Sequence, residues 1–300
     1  MSASPERAKD DLFDEAFMGR LAHLELLTRK VFASQGRGER RSKRVGSGLE
    51  FADHRRYSPG DDFRNIDWNV YARTGKLLLR VFEEEEDLWV YVLVDNSASM
   101  GVPDKRKLDL ARRLAAAIAY ITMSGLDRVA VGTFSEKLDQ RLSPSRGKSF
   151  IFQTMEFLRG VKPHGATAFA ESMKTFAQRH TRKGLVFIIS DLYAQDGYEQ
   201  GIDVLRHHRF EPIVLQITDK LELDGKIRGD VGLIDCETAE RRDVTLNPRL
   251  VARYAEVQAA WKAEIAAACK SRQVPWFEAP IDTPFEDIIL GVLRRGGVLA

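Results

Sequence analysis

The feature that most constrains the fold is an apolar run that ends abruptly in polar residues shortly before residue 100. From Trp89 to Val94 the side chains are β-branched, aromatic or leucine, which is typical of a buried strand in a parallel sheet. Asp95, Ser97 and Ser99 follow at once in the order Asp-x-Ser-x-Ser. Ligands of open α/β sheets bind at the carboxyl ends of strands. The segment therefore predicts a strand with a polar ligand site at its tip, although a plain strand-to-helix turn also fits.

After residue 88, strand-like runs alternate with helical stretches. Asn247 followed by Pro248, for example, is typical of a helix N-terminus. Such alternation predicts an α/β fold with a doubly wound, mostly parallel sheet and helices on both faces, Rossmann-like in layout. The predicted strands are 89–94, 128–134, 185–190, 212–218 and 275–278, and the predicted helices are 104–123, 168–179, 198–207 and 247–270.

Two other regions flank or interrupt this alternation. Residues 11–33 have apolar side chains at three- and four-residue spacing and predict an amphipathic helix. Residues 49–87 and 219–247 contain turn signals and alternating residues, and we expect them to pair as a small additional β subdomain. The predicted organisation is an N-terminal helix and basic linker (1–48), a β subdomain (49–87 plus 219–247) and an α/β domain (88–218 plus 248–300).

Composition limits the classes of protein that fit. Hydrophobic residues make up 44% of the 300-residue chain, and the formal net charge of +2 favours no strongly charged partner. Cys236 and Cys269 form neither a disulfide framework nor a metal-ligand spacing. The start lacks an apolar signal core, and the longest apolar run, residues 114–123, is too short to span a bilayer. We expect a cytoplasmic protein without a membrane span.

Further oxygen-bearing side chains fall at the same predicted sheet edge. Thr167 lies in a Gly-Ala-Thr segment that precedes a predicted helix, and Asp191 directly follows another predicted strand. With Asp95, Ser97 and Ser99 they form a donor set made only of oxygens, which suits Mg²⁺ better than zinc. We expect these residues to hold one Mg²⁺ ion, with Mn²⁺ or Ca²⁺ as alternatives.

The order of these residues resembles the metal-ion-dependent adhesion site of the von Willebrand factor A domain family. In that family an Asp-x-Ser-x-Ser motif is followed by a Thr in a later loop and an Asp after a later strand. The matching positions here are Asp95, Ser97, Ser99, Thr167 and Asp191. The resemblance covers residues 88–293 and implies a von Willebrand A-like fold. It also implies that Asp191 acts through a bound water.

A second block narrows the resemblance to one bacterial family. The stretches 56–62, 64–68 and 72–73, which include Pro59-Gly60 and Asp67-Trp68, stand shortly before the Asp-x-Ser-x-Ser motif. This order resembles the bacterial domain-of-unknown-function family fifty-eight over nearly the whole chain. Members are typically encoded beside MoxR-type AAA+ ATPases, and several carry N-terminal membrane helices, which we do not expect in this chain. The resemblance implies a role in protein assembly or maturation beside such an ATPase, and it implies no reaction.

The chemistry of the predicted site favours binding over catalysis. One or two carboxylates leave a bound Mg²⁺ with residual positive charge and an open position, which an Asp or Glu of a partner protein would fill. We therefore predict a non-catalytic interaction module. The alternative is a Mg²⁺-dependent hydrolase or phosphotransferase centred on Asp95. Aspartyl-phosphate enzymes need a second carboxylate two positions after the first, where this chain has Ser97. His164 lies close to Thr167 in the sequence, but we interpret it as a loop residue and not as a catalytic base.

Charged segments suggest further readings. Basic residues between 29 and 44 could neutralise phosphates of a nucleic acid, but only Phe32 is available for base stacking, so a solvated linker fits better. The acidic run 83–87 is expected to be a solvated strand end. The block 56–68 is expected to form a buried salt-bridge corner, and an interface contact is the alternative.

Overall fold

The computed structural model describes residues 12–35, 42–45, 50–84, 88–125, 127–194, 197–219 and 229–295. The chain divides into two compact units, of which the first comprises residues 1–30 and 88–299 and the second comprises residues 31–87 and residue 300. The basic segment 29–44 and the acidic run 83–87 lie outside the residues whose side chains are described.

Strands and helices alternate through most of the first unit. The strands, in chain order, are β1 (Ser42–Val45), β2 (Glu50–Arg56), β3 (Leu78–Glu84), β4 (Trp89–Asp95), β5 (Arg128–Phe134), β6 (Leu138–Arg141), β7 (Ser145–Arg146), β8 (Leu185–Ser190), β9 (Glu211–Thr218), β10 (Gly229–Ile234), β11 (Arg241–Leu246) and β12 (Trp276–Pro280). The helices are α1 (Glu15–Gln35), α2 (Trp68–Thr74), α3 (Arg106–Ser124), α4 (Ile151–Gly160), α5 (Phe169–Arg179), α6 (Tyr198–His207), α7 (Pro248–Ser271) and α8 (Phe285–Arg295).

A seven-stranded sheet forms the centre of the first unit, with the strand order β12-β9-β8-β4-β5-β6 and with β7 beside β5. β4, β5, β8, β9 and β12 pair in parallel, while β6 and β7 run antiparallel to β5. The predicted α/β class with a mostly parallel sheet is therefore confirmed. The five predicted strands agree with the observed bounds within two residues. β6 and β7 were not predicted, because strands this short do not show a recognisable alternation of apolar and polar residues.

One side of this sheet is covered by α5, α6 and α7. Tyr91 and Leu93, alternate residues of β4, lie in one buried cluster with Phe176 of α5, Ile202 of α6 and Ile265 of α7. Because successive strand residues point to opposite faces, this cluster takes every second side chain of β4. Helices α5 to α7 thus share a single core with the sheet.

The intervening side chains of β4, Val90, Val92 and Val94, are buried as well. α3 packs against β4 and β5, and α4 and α8 pack against α3. The apolar run of residues 114–123 forms the buried C-terminal half of α3. No helix in the described ranges is long and apolar enough to cross a membrane.

The N-terminal helix belongs to the first unit as far as Lys30. The carboxylate of Asp14 accepts the N–H of Phe17 at 2.7 Å, so α1 begins later than predicted. Phe17 is fully buried, and its ring centroid lies 5.0 Å from that of Phe285 in α8. Phe17 of α1 thus packs against α8 within the first unit.

The two segments of the predicted β subdomain form separate sheets among the described residues. β1, β3 and β2 form an antiparallel sheet in the second unit, whereas β10 and β11 form a two-stranded sheet in the first. The expected pairing of 49–87 with 219–247 is thereby corrected. Pairing inside each segment closes a short loop, which costs less entropy than pairing segments far apart in the chain.

The block 56–68 forms a turn and the start of α2 rather than a buried corner. Asp61 accepts a hydrogen bond from the Arg55 guanidinium at 2.7 Å, and Asp67 caps α2 by accepting the N–H of Asn69 at 3.0 Å. Trp68 is 55% exposed. The polar contacts therefore organise a turn at the surface, and the alternative of an interface contact stays a prediction.

Candidate functional site

Two carboxylates lie at the carboxyl-terminal edge of the central sheet. β4 and β8 are adjacent and parallel, with Val94 beside Ile189, so the residues that follow these strands emerge at the same edge. Those residues include Asp95, which ends β4, and Asp191, which follows β8. Both are buried, with exposures of 0% and 1%. The structure thus brings together two residues that stand far apart in the sequence.

Hydrogen bonds from Ser97 and Ser190 hold the carboxylate of Asp95. Its Oδ1 accepts the N–H of Ser97 at 2.9 Å, and its Oδ2 accepts the hydroxyl of Ser190 at 2.5 Å. Burial, and after it the neighbouring Asp191 carboxylate, raise the pKa of Asp95 to about 7, although the hydrogen bonds to this carboxylate act in the opposite direction. A cation placed beside Asp95 would favour its charged form.

The two serines of the motif continue the chain of polar contacts. A 3₁₀ turn, Ala98–Gly101, begins directly after Ser97 and turns the backbone so that the hydroxyls of Ser97 and Ser99 lie 2.9 Å apart. The Ser99 hydroxyl lies 3.5 Å from Oδ1 of Asp191, at the limit of a hydrogen bond. Both serines are buried. Asp-x-Ser-x-Ser therefore folds into a compact cluster of oxygen atoms.

Lys107, on α3, is a member of the site that sequence reasoning missed. Its ammonium lies 2.9 Å from Oδ2 of Asp191, and the two side chains are only 3% and 1% exposed. Lys107 was hidden in a run of basic residues. Its spacing of four and seven residues to the buried Ala111 and Leu114 was the signal that could have placed it on the inner face of the helix.

Backbone hydrogen bonds hold the loop that carries Thr167 beside the motif. The N–H of Ala98 donates to the carbonyl of Gly165 at 2.9 Å, and the N–H of His164 donates to the carbonyl of Asn96 at 2.8 Å. Thr167 is buried, with 5% exposure. The structure thus places this predicted ligand at the same edge of the sheet.

The contacts of Thr167 are with Glu237, a second residue that sequence reasoning missed. Oε1 of Glu237 accepts the Thr167 hydroxyl at 3.2 Å, and Oε2 lies 3.4 Å from the Thr167 nitrogen. Burial raises the pKa of Glu237, while the hydrogen bonds from Thr167 and Ser99 lower it. The hairpin that carries Glu237 leaves the sheet from the carboxyl end of β9, and this position in the chain was the available signal.

His164 contacts the side chains of Ser135, Asn96 and Asp139, and its Nε2 lies 3.4 Å from Oδ2 of Asp139. Its Nδ1 lies 3.1 Å from Oγ of Ser135, and its Nε2 lies 3.3 Å from the amide nitrogen of Asn96. Ser135 also donates to Asp139 at 2.9 Å, and it is fully buried. These contacts connect the loop that carries His164 to Ser135, which directly follows β5.

The donor set fits a hard divalent cation by its chemistry. Carboxylates and hydroxyls surround the edge, and no thiol or imidazole stands among the predicted ligands. In the described part of the chain, no group of three or more His, Cys, Asp or Glu residues is arranged to hold a metal ion. A cation at this edge would therefore depend on the serine and threonine hydroxyls as well as the carboxylates.

Comparison with solved structures finds proteins of low similarity. BatB from Bacteroides thetaiotaomicron, a conserved hypothetical protein, is 14% identical with a TM-score of 0.45, over 69% of this chain and 99% of that chain. Proximal thread matrix protein 1 from the mussel byssus, in a structure with a zinc-occupied MIDAS motif, is 15% identical with a TM-score of 0.37, over 44% of this chain and 38% of that chain. Likeness at this level carries no argument about the site.

Comparison at the level of sequence identifies the family. Uncharacterized protein Rv1480 of Mycobacterium tuberculosis is 26% identical over 303 aligned residues, which cover 99% of this chain and 95% of the relative. Uncharacterized protein Mb1516 of Mycobacterium bovis matches with the same values. The profile of the family described as protein of unknown function DUF58 matches residues 53–264, more than half of the chain. The chain therefore belongs to the DUF58 family.

Proposed function

We propose that this protein is a non-catalytic interaction module that holds Mg²⁺ at a metal-ion-dependent adhesion site and binds an acidic residue of a partner through that ion. The observation that carries the proposal is a buried polar cluster. In it, Oδ1 of Asp95 accepts the N–H of Ser97 at 2.9 Å, and the Ser99 hydroxyl lies 2.9 Å from the Ser97 hydroxyl and 3.5 Å from Oδ1 of Asp191. The mostly parallel α/β sheet supports it, and we interpret the fold as doubly wound and of the von Willebrand A type.

Each residue of the cluster has a separate role in this proposal. Asp95, Ser97 and Ser99 would be direct ligands, Thr167 would be a further one, and Asp191 would act through a water. The ion would supply positive charge and a coordination position open to an outside carboxylate. Oxygen ligands of this kind match the preference of Mg²⁺.

Lys107 sets the charge that a partner would meet. Because its ammonium already neutralises Asp191, Asp95 is the main negative charge left to offset a dication among the direct ligands. The site would keep residual positive charge in a buried, low-dielectric recess, where attraction for a carboxylate is strengthened. This charge balance favours an acidic partner group over a neutral one.

We further propose that the module acts with a MoxR-type AAA+ ATPase in protein assembly or maturation, on a client that offers an Asp or Glu to the metal. Membership of the DUF58 family supports this partner through the gene neighbourhood that the family resemblance implies.

Capture of the ATPase tests the proposal. The full chain is immobilised and offered a MoxR-type ATPase from the same genome in Mg²⁺. Since the ATPase itself uses Mg²⁺, the decisive comparison is between variants in one buffer. Asp95→Asn should reduce retention at least about tenfold, as expected for the loss of a desolvated charge contact. Asp203→Asn, at a residue on α6 whose side chain is 53% exposed, should retain the ATPase like the wild type. Equal retention by all three proteins would overturn the metal-bridged contact.

A further inference from the structure

The β10–β11 turn reaches into the candidate metal site. The carboxylate of Glu237 accepts a hydrogen bond from the hydroxyl of Thr167 at 3.2 Å, and the Ser99 hydroxyl is close enough to lower the pKa of this carboxylate. Both hydroxyls belong to proposed ligands of the cation. The carboxylate of Glu237 therefore lies where an acidic group from outside would have to approach in order to reach the ion.

Hydrogen bonds within the β10–β11 turn define its backbone conformation, in addition to the contact of Glu237 with Thr167. Oδ1 of Asp235 accepts the N–H groups of Glu237 and Thr238, each at 2.8 Å. The N–H of Asp235 donates to the carbonyl of Glu240 at 2.9 Å and closes the turn. These bonds fix the backbone on both sides of Glu237 within the turn itself, so its side chain is presented in a set direction.

The hairpin behind the turn has little to anchor it. β10 and β11 pair only with each other among the described strands. Leu233 and Ile234 are 44% and 67% exposed, and Leu246 is the one residue of these two strands that is buried. An isolated two-stranded hairpin is marginally stable in water. The contact at its tip can therefore form and break without disturbing the central sheet.

The ion pairs of the acidic residues at this edge of the sheet are consistent with a cation between Asp95 and Glu237. Asp191 is paired with Lys107, and Asp219, at the end of β9, lies 3.6 Å from the guanidinium of Arg106. Asp95 and Glu237 have no ion pair with a basic side chain in the described ranges. One divalent cation would balance these two negative charges.

We infer that Glu237 is an intramolecular ligand of the site: it occupies the coordination position that a partner's Asp or Glu would take, so a partner has to displace the β10–β11 turn to bind. This inference rests on the proposed function, because it requires a cation held by Asp95. It adds regulation to the site, since the free chain would be self-occupied and only a carboxylate that competes with Glu237 would engage it.

The first test is Mn²⁺ binding to the full chain, measured through the electron paramagnetic resonance signal of free Mn²⁺. Glu237→Gln keeps the size of the side chain and removes its charge, and it should weaken Mn²⁺ binding about tenfold, the scale seen when a supporting partner of a metal site is lost. Glu240→Gln is the matched control, because Glu240 lies in the same turn and bonds Arg242 at the surface. It should bind Mn²⁺ like the wild type.

Access to the open position provides the second test, with acetate as the probe. At equal bound Mn²⁺, the acetate methyl proton signal should broaden several-fold more with Glu237→Gln than with the wild type or Glu240→Gln, because acetate can then reach the ion. Equal Mn²⁺ affinity and equal broadening in all three proteins, with binding still abolished in Asp95→Asn, would overturn the inference and leave the metal site intact. Mn²⁺ binding that is absent from the wild type would overturn both the inference and the proposed function.

Discussion

The two sides of the candidate site are built in different ways. Asp95 and Asp191 stand at the ends of central strands, with exposures of 0% and 1%. Glu237 stands on a hairpin whose residues are mostly exposed, with Ile234 at 67%. Burial among central strands holds one side in place, whereas a hairpin with few buried contacts opens at low cost. The difference separates a fixed half of the site from a half that a partner can displace.

The largest effect should come from the core behind the fixed half. Phe176→Ala removes a ring that is 1% exposed and lies against Tyr91, and it should lower the free energy of unfolding by about 3–5 kcal/mol. Ile234→Ala, on the hairpin, should change it by about 0.5 kcal/mol or less. Urea unfolding of the full chain measures both values. Similar losses from the two substitutions would remove the contrast between the halves.

The next effect concerns the buried ion pair of the fixed half. Lys107→Met should cost about 3 kcal/mol of unfolding free energy, because it leaves the Asp191 carboxylate buried beside an apolar side chain. Urea unfolding in EDTA measures the loss without a contribution from metal. Lys105→Met is the control, because Lys105 is exposed and lies two residues before Lys107. This substitution should leave the free energy of unfolding nearly unchanged. A loss below about 1 kcal/mol for Lys107→Met would mean that the pair is not needed to hold Asp191.

The fixed half could be read from the sequence because its signals are local. β4 and β8 are apolar runs that end in a polar residue, Asp95 and Ser190 respectively. Parallel pairing then brings Asp95 and Asp191 to one edge without further information. Thr167 was readable for a similar reason, since it lies just before a helix in the loop that returns to that edge.

The displaceable half could not be read in the same way. Glu237 lies in a turn between short strands, where neither a period of two nor a helical period marks its direction. The pairing of 219–247 with 49–87 failed as a prediction because hairpins pair locally, and alternation of side chains does not name the partner strand. Lys107 belongs to the fixed half, but its ion pair is a long-range contact that a basic run conceals.

A further effect should appear in the pH dependence of the stability of the metal-free chain. Burial raises the pKa of Asp95 from 3.8 to about 7, so between these values the folded state keeps a proton that the unfolded state has released. The free energy of unfolding falls with rising pH wherever the folded state binds more protons. Urea midpoints in EDTA should therefore drop from pH 4 towards pH 7, and Asp95→Asn should flatten that drop. The same drop in both proteins would assign it to other groups.

In assays of catalysis we expect no difference between the wild type and Asp95→Ala. If the fixed half binds and does not react, phosphatase and ATPase activities of the purified chain in Mg²⁺ should equal those of Asp95→Ala. Generic chromogenic phosphate esters and ATP are suitable substrates. Turnover that depends on Asp95 would favour the hydrolase or phosphotransferase alternative.

Direct titration of a divalent cation tests the central claim, that the oxygen cluster around Asp95 holds one ion. Calorimetry with Mg²⁺, added to the full chain after treatment with EDTA and dialysis, should show one site per chain. Asp95→Asn should lose that site, and Asp203→Asn should keep it. Absence of a binding signal for the wild type, or equal binding by the wild type and Asp95→Asn, would contradict the account.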